Sequence, residues 1–208
     1  MHEKRFYHEV LGPTINLLNR TEQNVCVEPN FNDLISLAKQ VASAAYHFRE
    51  PILRHRGEDR VDLMADQTAE ELRQRLGDVV DSSKHGVLRN PDRTVTFRAS
   101  LAFEYDQRFG YRFLRTEVLA TNGRYGSYNI CDTIQNFLPF LAKELSLPGS
   151  VEERTLKSHP FLEWAETYLM PESGFDLEAV GIRTYQKDAN GILTLSNLPE
   201  VKFRVIQH

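Results

Sequence analysis

The sequence predicts an α+β fold, and three observations carry that prediction. The first part of the chain repeats apolar residues at helical spacing. Residues 94–105 then alternate between apolar residues and polar or small ones. Helical spacing returns at 130–145. N-terminal helices packed with a central antiparallel β-hairpin and a following helix account for this order, with a small mixed C-terminal region after them. The expected division is a core domain over 1–147 and an accessory helical and strand region over 148–208.

Residues 3–20 predict the first helix, with Val10 or Leu11, Ile15 and Leu18 as its apolar stripe. Gly12-Pro13 interrupts it, because proline lacks a backbone donor and starts or kinks helices. A connector follows to Pro29, with a short extended piece at Val25-Cys26-Val27. A stronger helix begins near Asn30, with Leu34, Val41, Ala45, Phe48 and Ile52 on one face and Leu37 and Ala38 broadening it. Asn30 and Asp33 fit an N-terminal cap, and Pro51 is expected to kink or divide the helix near Glu50.

The run Arg49-Glu50-Pro51-Ile52-Leu53-Arg54-His55 places five residues between arginine and histidine. It resembles the arginine-to-histidine spacing of HEPN-family nucleases. The resemblance implies a metal-independent RNA-cleaving centre using Arg49 and His55, of a kind often assembled by a dimer.

After the polar break Gly57-Glu58-Asp59-Arg60, a helix is expected from Asp66 to about Ser83. Ala69, Leu72, Leu76 and Val79 or Val80 form its buried face, and Thr68 and Glu71 have capping-box spacing. Gly86 suits the helix stop, with Val87 folding back on the last turn in a Schellman-like closure. Asp78, Asp81 and His85 then share one face, so that Asp81 can orient the His85 ring. Carboxylates and imidazole are also metal ligands, which makes Asp78, Asp81 and His85 the alternative metal set. Two Asp and one His do not complete a site, and no metal is predicted.

Asn90-Pro91-Asp92 marks a turn. Val95, Phe97, Ala99, Leu101, Phe103 and Tyr105 alternate with polar or small residues. A simple hairpin register sets Tyr105 against Tyr111, Phe103 against Phe113 and Glu104 against Arg112. The same register turns Arg115 and Glu117 toward the aromatic face. That conflict requires either a bulge or a polar pocket there. The loop 121–128 carries Arg124, Tyr125 and Tyr128, which suit contact with bases and phosphate or with a protein. Its glycines lack the lysine and Ser/Thr of a phosphate loop.

Helical spacing over Ile130, Ile134, Phe137 or Leu138, Leu141 and Leu145 predicts the next helix, capped by Asn129 and Asp132 and bent at Pro139. Beyond a connector at 147–150, Phe161, Trp164, Ala165 and Tyr168 suit a docking helix. Ile182–Tyr185, Ile192–Leu195 and Val201–Val205 are strand candidates.

Charge is unevenly placed within a formal net of −4. Residues 58–81 hold eight carboxylates against three arginines, and residues 84–124 hold eight Lys and Arg against four carboxylates. This gradient suits either internal pairing or a basic face that meets phosphate or an acidic partner. The expected ligand-binding residues are Lys84, His85, Arg89, Arg112, Arg115, Arg124, Tyr125 and Tyr128. Cys26 and Cys131 are far apart and fit no metal or nucleophile motif, so both are read as reduced thiols. No interval is long and apolar enough to cross a membrane and the start lacks a signal-peptide centre, which sets a cytoplasmic expectation. With no nucleophile triad, dinucleotide-binding glycine motif or zinc finger, the leading class is a binding or structural protein without a cofactor. Its partner is expected to be a protein, a second copy of itself or nucleic acid, and no membrane role is expected.

Overall fold

The computed structural model describes residues 2–22, 31–57, 64–108, 110–147 and 181–196. The expectations for Val25–Val27, for a helix around Phe161–Tyr168 and for a strand at Val201–Val205 lie outside these residues. Six α-helices and one five-stranded sheet are described, and the α+β class holds.

The first helical rod is α1 (His2–Phe6), a π-helical turn (Tyr7–Leu11) and α2 (Gly12–Thr21). Gly12-Pro13 widens this rod rather than breaking it. The Gly12 N–H donates to Tyr7 O, the five-residue step of a π turn, and Pro13 falls in the first turn of α2, where its missing donor is tolerated. A Cβ on Gly12 would stand 3.0 Å from Tyr7 O, so glycine permits the closure. The extra residue rotates the following face by about 100°. Thr14, Leu17 and Leu18 are therefore buried with Val10, whereas Ile15, expected inside, is 42% exposed. Thr14 and Thr21 lie in the core because their hydroxyls donate back to Val10 O and to Leu17 O and Leu18 O.

Helix α3 (Phe31–His47) buries Leu34, Ala38, Val41, Ala42 and Ala45. Phe48 bends the chain, and α4 (Arg49–His55) starts afresh with Pro51 in its first turn, so the division near Glu50 is found. Helix α5 (Gln67–His85) is capped by Asp66, whose carboxylate accepts from Ala69 N at 3.0 Å, in place of the expected Thr68. Gly77 sits mid-helix because a Cβ there would come 3.1 Å from the Tyr46 ring on α3. At the other end Gly86 has φ 68° and ψ −79°, and Val87 N–H donates to His85 O at 2.9 Å. That is a γ-turn, not a Schellman closure, and it throws Val87 outward to 79% exposure.

The sheet order is β3-β2-β1-β4-β5, from β1 (Thr96–Asp106), β2 (Gly110–Asn122), β3 (Gly126–Asn129), β4 (Gly181–Lys187) and β5 (Leu193–Leu195). β1 and β2 are antiparallel in the expected register of Tyr105 with Tyr111, Glu104 with Arg112 and Phe103 with Phe113. The register then shifts. Ala102 faces Arg115, so Leu114 is the extra residue of a β-bulge. β4 runs parallel to β1, and β5 returns antiparallel beside it. These two strands extend the central sheet.

Helix α6 (Ile130–Leu145) follows β3 directly. Asn129 caps it by accepting from Cys131 N at 2.9 Å. Ile130, Ile134, Phe137, Leu138, Leu141 and Leu145 are buried with the apolar faces of α2, α3 and α5, forming the main core against Val95, Val118 and Ala120 of the sheet side. A second cluster, Leu101, Phe103 and Phe113, continues it along the hairpin.

Candidate functional site

The bulge decides where the charged residues of the hairpin point. It turns Arg115 and Glu117 away from the face of Leu101 and Phe103 onto the row of Ser100, Ala102 and Glu104. On that outer face Glu117, fully buried, gathers four donated hydrogen bonds. Its Oε1 accepts from Arg115 Nε and Nη2 and from the Tyr185 hydroxyl at 2.8 Å, and its Oε2 accepts from Arg183 Nη1 at 3.0 Å. Arg115 also forks onto Asp132, at 2.8 and 2.7 Å. Burial lowers the Arg115 pKa, but Asp132 and Glu117 more than offset it, so the guanidinium is held firmly charged. Burial, then the Glu117 carboxylate, pushes the Tyr185 phenol well above its ordinary range. Nearby, Arg112 and Lys187 both reach Glu104. Arg112 and Arg115 are thus held in ion pairs inside the protein.

The junction of α5 with the sheet is locked by Arg93. Its Nε donates to Asp78 at 2.6 Å and its Nη2 to Asp81 at 2.8 Å, while Asn122 at the end of β2 donates to the other Asp78 oxygen at 3.1 Å. The hydrogen bond to Asp78 is the main reason that the Arg93 pKa is raised. Asp81 therefore serves Arg93 rather than orienting His85. Asp78 is buried, His85 is exposed, and no cluster of three or more His, Cys, Asp or Glu among the described residues could hold a metal ion.

The aromatic loop is docked on α5. Tyr125 Oη donates to Gln74 Oε1 at 2.9 Å, Arg124 donates to the same oxygen, and Tyr128 Oη donates to Arg75 O at 3.2 Å. The Arg75 guanidinium lies over both rings, 5.1 and 5.4 Å from their centroids. Burial raises the pKa of both phenols.

Arg49 is 2% exposed and forks onto Glu144 of α6, at 2.8 and 2.7 Å. His55, at the far end of the same short helix, is exposed. The structure thus places Arg49 inward and His55 outward.

What remains outward from the basic stretch is the end of α5 and the turn after it. Lys84, His85 and Arg89 are exposed, and none has a carboxylate partner among the described residues. Lys84 Nζ lies 3.2 Å from His47 Nε2. Burial, then the Lys84 charge, lowers the His47 pKa, so this contact is made to a neutral imidazole at neutral pH. Val87 protrudes between Lys84 and Arg89 in the chain.

Arg93, Arg183, Tyr185 and Glu144 join these clusters without having been singled out from the sequence. The partners of Arg183 and Glu144 lie 66 and 95 residues away, beyond any local pattern. Among the described residues, no helix is long and apolar enough to span a membrane. Comparison with protein-family models, with curated proteins and with solved structures finds no match for this chain.

Proposed function

We propose that the protein is a non-enzymatic binding module that docks an acidic protein segment on the exposed end of α5, at Lys84, His85, Val87 and Arg89. One observation carries this reading. Arg93, Arg112 and Arg115 are neutralised by internal carboxylates, whereas Lys84, His85 and Arg89 are exposed in the same stretch as a valine that the γ-turn holds 79% exposed. Exposed cations close in sequence to an exposed apolar side chain match an acidic segment that carries an apolar side chain. A nucleic-acid partner would use the stacking loop instead, and Tyr125 and Tyr128 are already covered by Arg75.

The test is fluorescence anisotropy with a labelled peptide of alternating Glu and Leu, beside a single-stranded RNA of equal charge, over a salt series. Peptide binding that weakens with salt and falls roughly tenfold in the double variant Lys84→Glu, Arg89→Glu supports the reading. RNA bound more tightly than peptide would replace it with a nucleic-acid reading. Concentration-dependent self-association abolished by the same variant would make a second copy the partner. No binding to either probe and no self-association would overturn it.

A further inference from the structure

The geometry points to a small-oxyanion site on the outer face of the sheet, formed by Arg98, Ser100 and Arg183 over Gly181, for a phosphate or carboxylate group. Its floor is a patch of small residues on adjacent strands. Ser100 lies between Glu117 of β2 and Gly181 of β4, with Ala102 in the next row beside Arg183. Strands are about 4.8 Å apart, so Arg183 and Glu117 must together span roughly 10 Å across β1 to meet. The 3.0 Å contact between Arg183 and Glu117 shows that they meet across β1, the strand that carries Ser100 and Ala102.

On the other side Arg98 lies across Gly181. A Cβ at Gly181 would be 3.1 Å from Arg98 Nε, 3.3 Å from its Cζ and 3.3 Å from Ser100 Oγ. The guanidinium and the hydroxyl therefore both lie close over Gly181, where any side chain would push against them. Ser100 is fully buried, and its Oγ has no hydrogen-bond partner among the described residues. A buried hydroxyl ordinarily finds one, because leaving it unmade costs free energy.

Charge gives an independent argument. Glu117 and Asp132 balance Arg115 and Arg183, whereas Arg98 is exposed and has no carboxylate partner among the described residues. Among the described residues, Arg98 is thus a cation without a carboxylate partner beside an unsatisfied donor. An oxyanion completes both, accepting from the Arg98 fork, from Ser100 Oγ–H and from the N–H groups of Arg183 that Glu117 leaves over. Glu117 does not repel it, because Arg115 and Arg183 neutralise that carboxylate.

Heteronuclear NMR of the arginine side-chain N–H groups in the full chain tests this, with inorganic phosphate and acetate titrated separately at constant ionic strength. Two variants keep the test independent of folding. Arg98→Gln removes an exposed charge, and Gly181→Ala keeps every charge but displaces the Arg98 guanidinium; thermal unfolding checks that both remain folded. The site is supported by saturable shifts with at least one anion, weakened roughly tenfold in both variants. Saturation by phosphate alone or by acetate alone identifies which group the site takes. Absence of saturation with both anions, or binding undiminished in either variant, overturns the site.

Discussion

Two groups of cations from one basic stretch of sequence meet opposite fates. On the outer face of the sheet, Arg112 and Arg115 are buried and tied to Glu104, Glu117 and Asp132. At the end of α5, Lys84 and Arg89 stand in water with no carboxylate partner among the described residues. The difference is one of solvation. A charge removed from water needs a near partner to recover its lost hydration, whereas an exposed charge needs none. The buried arginines are therefore committed to holding strands and helix together. The exposed cations are available to a partner, and a charge count along the sequence does not distinguish the two groups.

The largest test of this contrast is Glu117→Ala. It removes the acceptor shared by Arg115, Arg183 and Tyr185 and leaves buried cations and a buried hydroxyl short of partners. The expected loss is about 3–5 kcal/mol in urea unfolding. A loss below about 1 kcal/mol would mean that the cluster is wetter than its burial indicates.

A smaller, pH-dependent effect is expected at Glu70. Burial raises its pKa, but hydrogen bonds from Arg73, Gln74 and Met64 N outweigh that and bring it from 4.5 to about 2. A carboxylate depressed on folding stabilises fully above its unfolded value. Its contribution should hold above about pH 4.5 and drain away as the pH falls toward about 2. Unfolding midpoints of the wild-type protein and Glu70→Gln should converge over that window. Curves that stay parallel across it would contradict the assignment.

The smallest effect on stability is expected at the exposed end of α5. The double variant Lys84→Glu, Arg89→Glu should keep thermal stability within about 0.5 kcal/mol of the wild type per site while changing partner binding. A large loss of stability would place these side chains in the fold rather than at an interface. Likewise His55→Ala should leave stability unchanged, because His55 is exposed. RNA cleavage by the wild-type protein that disappears in this variant would favour the nuclease reading.

Helix faces such as Leu34–Val41–Ala45–Phe48–Ile52 and Ile130–Ile134–Leu138–Leu141–Leu145 were legible because helical periodicity is a local property of the chain. The hairpin register around Phe103 and Phe113 followed likewise, since period-two alternation and a short connection leave few pairings. Ile15 was misplaced because the π turn before it shifts the helical phase by one residue, and only the packed rod shows that turn.

The α5 terminus marks the boundary between the two kinds of information. Asp78, Asp81 and Gly86 announced a helix end through spacing and through the dihedral freedom of glycine. The pairing of both aspartates with Arg93, and the γ-turn that leaves Val87 in water, required the helix to meet the sheet. The sequence by itself determined the α+β class, most helical faces and the pairing of the central hairpin, because these depend on periodicity and short-range geometry. The tertiary structure alone decided which cations are buried in pairs and which remain exposed, because desolvation and pairing depend on groups brought together from distant parts of the chain.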